Sequence, residues 1–128
     1  MSEDASVALV RALIENLQGS QLRDDWSSFA LVLAFEDGDL ADTYGYAYSP
    51  GGEVSAASVR SSWVREAVFD YLRGYFGPED DLPKKTLVQF DRTSGRYGVT
   101  FEDEDASRWD VTPANYKDVR EQLRPSFD

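Results

Sequence analysis

An α+β fold follows from three features of the chain. Two turn signals, Asp37-Gly38-Asp39 and Thr93-Ser94-Gly95, each sit between runs of alternating apolar residues. Stretches with helical spacing precede and separate those hairpins. The chain closes on Thr112-Pro113 ahead of an amphipathic segment, a hydroxyl cap followed by proline at the first helical position. Together these predict one antiparallel sheet of two hairpins packed by helices, in the order α-β-β-α-β-β-(β)-α. The 128 residues form one domain, 1–128, large enough for a single core.

Each element has a local reason. In Glu3 to Gln18, Val10, Leu13, Ile14 and Leu17 recur at helical spacing and Val7 extends the stripe. Ser2 or Asp4 caps the start and Gly19 is placed to end the helix. Trp26 to Glu36 reads as a strand with Phe29, Leu31, Leu33 and Phe35 on one face and Ala30, Val32 and Ala34 on the other. Two apolar faces predict an inner strand. Ala41 to Ser49 alternates, with Tyr44, Tyr46 and Tyr48 on one side. After the loop Ser49-Pro50-Gly51-Gly52, a long helix is expected over about Ala56 to Phe76. Its stripe is Val59, Trp63, Val64, Ala67, Val68, Tyr71, Leu72 and Tyr75, which places Trp63 in the core. Thr86 to Asp91 and Arg96 to Glu102 form the second hairpin, and a short extended piece follows at Arg108 to Val111. Tyr116, Val119 and Leu123 give the last helix its apolar edge, and Pro125 stops it.

Composition narrows the chemistry. The chain is 41% hydrophobic and 13% aromatic, which suits a globular protein. It contains no cysteine, so disulfides, thiolate nucleophiles and zinc–sulfur sites are excluded. It contains no histidine, so histidine-activated serine or cysteine nucleophiles are excluded too. No glycine-rich phosphate loop is present, and no pair of carboxylates stands out as an acid and a base. The chain is therefore read as a non-enzyme without a cofactor or metal. No apolar run approaches the roughly 20 residues of a membrane helix. The start carries acids where a secretory signal carries basic residues, so a cytoplasmic location is expected.

The formal charge of −11 repels nucleic acid and anionic membranes and attracts cationic proteins. Two places concentrate it. Glu102-Asp103-Glu104-Asp105 follows the second hairpin, and Glu36-Asp37-Gly38-Asp39 with Asp42 makes the tip of the first. The run of four lacks the ligand spacing and glycine turn of a calcium loop. It fits either a solvated loop with Arg108 as local counterion or a docking patch for a basic partner. If both tips lie at one end of the sheet, they form one negative rim. The three tyrosines fit a binding face or, as the preferred reading, a surface half-covered by a helix with wet hydroxyls. Trp109, between Arg108 and Asp110, either holds the last helix or sits at a surface pocket.

The segment FDRTSGRYGVTFEDEDASRWDVTPANYKDVREQLRP, Phe90 to Pro125, remotely resembles the C-terminal part of YezG-like immunity proteins, with RWDVTPANY its distinctive portion. The upstream order of helix, hairpin and long helix is similar as well. That resemblance implies an antitoxin that covers the basic cleft of a toxin, such as a nuclease, by presenting an acidic face. The implied contact residues are Asp37, Asp39, Glu102, Asp103, Glu104 and Asp105, with Trp109 as an apolar anchor. Two other readings stand beside it: an acidic chaperone or adaptor, and a small-molecule binder under the sheet.

Overall fold

A computed structural model of the chain describes residues 4–20 and 22–126. The elements run α1 (Ala5–Asn16), β1 (Ser28–Glu36), β2 (Asp39–Tyr48), β3 (Val54–Ala57), α2 (Ser61–Leu72), β4 (Lys85–Asp91), β5 (Tyr97–Glu102) and α3 (Tyr116–Gln122). The five strands form one sheet in the order β3-β2-β1-β4-β5, antiparallel at every junction. The fold is α+β, and both expected hairpins form.

β1 is the middle strand, and its two apolar faces carry two cores. Phe29, Leu31 and Leu33 pack with Leu9 and Leu13 of α1 and Val64, Val68 and Leu72 of α2. Ala30 and Val32 pack with Tyr46, Tyr48, Leu87, and Val119 and Leu123 of the α3 segment. The sheet thus has α1 and α2 on one face and the shorter α3 on the other. The first hairpin closes on Asp37 and Gly38 at φ 52° and 77°, the left-handed pair that a two-residue turn needs. Gly45 is required for another reason. A Cβ there would collide with the backbone oxygen of Ala30 on the adjacent strand.

Several local expectations are corrected, and one of the two expected caps is confirmed. α1 ends at Asn16, short of Gln18, because Leu17 turns extended and Gln18 exchanges backbone hydrogen bonds of 2.9 Å with Ser58. Gly19 is therefore not a helix terminator; it lies against the Ala56 carbonyl, where a side chain would clash. Asp4 is the N-cap, its Oδ1 accepting the Ser6 N–H at 2.8 Å, while Ser2 lies outside the described residues. Residues Val54–Ala57 form an edge strand on β2 instead of starting the long helix, because hydrogen bonding to a neighbouring strand overrides weak local preference.

α2 consequently starts at Ser61. Its buried stripe is Val64, Val68, Tyr71 and Leu72. Trp63 lies one step, about 100°, outside that stripe and is 55% exposed, with the Arg60 guanidinium 4.5 Å from its ring. It is not a core residue. Arg108 to Val111 is not a strand either: Trp109 adopts φ 67°, which breaks any extended run. Thr112-Pro113 opens a turn in which Thr112 and Asn115 exchange side-chain-to-backbone hydrogen bonds, and α3 begins at Tyr116. No described helix is long and apolar enough to cross a membrane.

Candidate functional site

Strand register brings the two acidic tips together. Ala34 of β1 pairs with Lys85 of β4, and Lys85 pairs with Glu102 of β5. The end of β1, the start of β4 and the end of β5 therefore share one end of the sheet. The loop before β4 reaches the same place. An open depression of about 780 Å³ results, bordered by Glu36, Asp37, Asp42, Asp80, Asp81 and Asp103.

Lys85 and Lys84 also border the depression. Lys85 is the less expected residue: its side chain is 6% exposed. Its amine donates to the Arg108 carbonyl at 2.9 Å and pairs with Asp110, and it lies 5.8 Å from the Tyr44 ring. Burial pulls the amine pKa down, but Asp110 and Tyr44 outweigh it, so the net shift is upward. The Tyr44 hydroxyl donates to the Trp109 carbonyl at 2.9 Å. These bonds fasten the 105–112 loop onto the sheet.

The acidic run after β5 is mostly a self-capped turn. Glu102 Oε2 accepts the N–H groups of Glu104 and Asp105 at 2.9 and 3.0 Å, and Oε1 accepts from the Arg108 guanidinium at 2.7 Å. Those donors, the backbone ones first, hold its carboxyl down to about 2. Asp105 accepts from the hydroxyl and N–H of Ser107, which lower its pKa. Such bonds favour the charged form and explain how neighbouring carboxylates coexist.

Of the residues expected to make contact, Asp37 and Asp103 border the depression and Glu104 is exposed close by in sequence. Asp39 is committed to Arg65 at 2.8 Å. Glu102 and Asp105 are turn-forming carboxylates. Trp109 packs against the α3-side core, and the Arg108 guanidinium stacks 4.4 Å from its ring. It holds the loop and does not present a bare apolar face. Asp80 and Asp81, in the loop before β4, belong to the site as well. Lys85 was missed. The available signal was strand alternation, which puts it on the α3 face with Leu87 and Gln89.

Tyr46 and Tyr48 are buried on the α3 side, and the Tyr48 hydroxyl donates to the Arg120 carbonyl at 2.6 Å. They are covered by the α3 side as expected, but more deeply than a half-covered face, and the Tyr48 hydroxyl is bonded to backbone instead of being left wet. Beside Tyr44 and Tyr46 lies a second open cleft of about 630 Å³, with Ala56 and Asp110 in its wall. Asp42 borders both cavities. Among the described residues, no group of three or more carboxylates is arranged to hold a metal ion. Neither a family model, nor a curated protein, nor a solved structure matches the chain.

Proposed function

We propose that this chain is a binding protein that docks a basic protein partner against the acidic end of its sheet. In this reading it acts as an immunity protein of the YezG-like kind, occluding the nucleic-acid-binding cleft of a toxin by contact and not by turnover. One observation carries the reading: six carboxylates from both ends of the first hairpin tip, the 80–81 loop and the end of β5 border a single depression. Like charges gathered on one surface repel one another, and a cationic surface relieves that repulsion while speeding encounter. The buried Lys85, tied to Asp110, holds the neighbouring loop in place. The cleft beyond Asp42 gives a partner side chain an aromatic floor in Tyr44 and Tyr46.

The test is binding to a basic toxin encoded in a neighbouring reading frame, measured calorimetrically at two salt concentrations, together with growth protection on co-expression. Affinity should fall steeply with salt. The double variant Asp37→Lys/Asp103→Lys should weaken binding by at least about tenfold. Unchanged affinity in that variant removes the acidic end from the mechanism, and failure of the unaltered chain to protect against any such product removes the antitoxin reading.

A further inference from the structure

The sheet has two edges, and they are unlike. At the β3 edge, Gln18 and Ser58 exchange two backbone hydrogen bonds, and Gly19 lies against the Ala56 carbonyl. The N-terminal segment therefore covers part of that edge. β5, at the other edge, is hydrogen-bonded to β4 alone among the described strands.

The direction of its free groups follows from the ladder. Arg92 N–H donates to the Ser27 carbonyl, so the even-numbered residues of β4 face β1; Lys84, just before the strand, departs from the pattern by donating to the Glu102 carbonyl while its own carbonyl accepts from Phe35. Asp91 N–H donates to the Arg96 carbonyl, so odd-numbered residues face β5. With Phe90 paired to Tyr97 and Gln89 to Gly98, the N–H and C=O groups of Tyr97, Val99 and Phe101 point outward. Monomeric proteins usually guard such an edge with lysine, proline or a bulge. The run Tyr97-Gly98-Val99-Thr100-Phe101 contains no charge and no proline. Beside it lies an aromatic patch: Tyr75 is 61% exposed, with its ring centroid 5.4 Å from that of Phe101.

We propose that this edge pairs with β5 of a second copy of the chain, antiparallel about a two-fold axis through Val99, joining two five-stranded sheets into one. Charge selects this occupant and this direction. Arg96 precedes the strand, while Asp103 and Glu104 follow it. Antiparallel self-pairing sets the basic start of each copy beside the acidic end of the other; parallel pairing would set like beside like. The register follows from the outward groups. Val99 faces Val99 of the second copy, Tyr97 faces Phe101, and Arg96 comes beside the acidic segment that holds Asp103 and Glu104. Aromatic and opposite-charge cross-strand pairs are the stabilising kinds. On the other face Gly98 meets Thr100, and both are small enough for the strands to close. A self-complementary patch of this type generates a closed dimer, here with the acidic depressions at opposite poles.

Sedimentation equilibrium of the full chain tests the proposal, with amide exchange as a second readout. At about 0.5 mM the mass should approach twice the chain's 14.4 kDa and fall on dilution. Exchange at Tyr97, Val99 and Phe101 should slow in the same range. Val99→Pro removes an outward N–H and leaves the β4 ladder intact, so it should abolish the dimer. Arg96→Glu reverses an exposed charge at the start of the strand and should weaken association by about tenfold, because the reversal occurs at two symmetric places together, with amide exchange in β4 checking that the monomer fold is kept. A wild-type chain of single mass at the highest concentration overturns the proposal. So does a dimer that survives both substitutions.

Discussion

Lys85 and Asp110 make an asymmetric pair, and the asymmetry predicts which partner is the costlier to lose. The lysine side chain is 6% exposed and the aspartate 55%. Removing one member of a fully buried pair costs about 3–5 kcal/mol, because the other charge is stranded away from water. Asp110→Asn strands a buried ammonium, although the asparagine oxygen and the Arg108 carbonyl still accept from it. The half-exposed site reduces the cost, to about 2 kcal/mol. Lys85→Met strands nothing charged in the interior: Asp110 turns to solvent and a thioether of similar length fills the space. Its cost should be about 1 kcal/mol or less. Urea unfolding of the three proteins at neutral pH makes the comparison. The sign with pH follows from the raised amine pKa. The pair's contribution is fully present below the ordinary lysine value of 10.5 and is lost as pH rises through the folded-state value. The gap between wild type and Asp110→Asn should therefore hold up to 10.5 and narrow above it. Equal losses in the two variants, or no loss in Asp110→Asn, would refute the argument that desolvation of the lysine sets the cost.

Three further outcomes are expected. Gly45→Ala should destabilise by at least about 2 kcal/mol in thermal or urea unfolding, since its Cβ meets the Ala30 backbone oxygen and no side chain can yield. Trp63→Ala should cost under about 1 kcal/mol, the scale of an exposed cation–π contact, where a core tryptophan would cost several times more. The Glu102 turn should stay ordered above the ordinary carboxylate value of 4.5 and loosen as pH falls toward about 2, because its lowered pKa makes the charged form the one that holds the turn. The amide shifts of Glu104 and Asp105 report this directly, and shifts that stay flat across that range would contradict it.

Periodicity and punctuation in the chain were enough to define the α+β class, both hairpins and the two-sided burial of β1, because these depend on neighbours a few residues apart. The Asp37-Gly38 turn and the α1 stripe are of the same kind. The sequence also determined the acidic balance and the absence of histidine and cysteine chemistry. What it misplaced depended on distant partners. Val54 to Ala57 became a strand because β2 was there to bond, Trp63 fell outside the face that α2 turns to the sheet, and the left-handed Trp109 replaced an extended piece. The acidic site divides the same way. Local composition marked the two tips, but only the register Ala34–Lys85–Glu102 put them at one end, added Asp80 and Asp81, and turned Glu102 and Asp105 into turn caps. Backbone hydrogen bonds between strands far apart in sequence settle register, and no short window of residues contains both halves of such a bond.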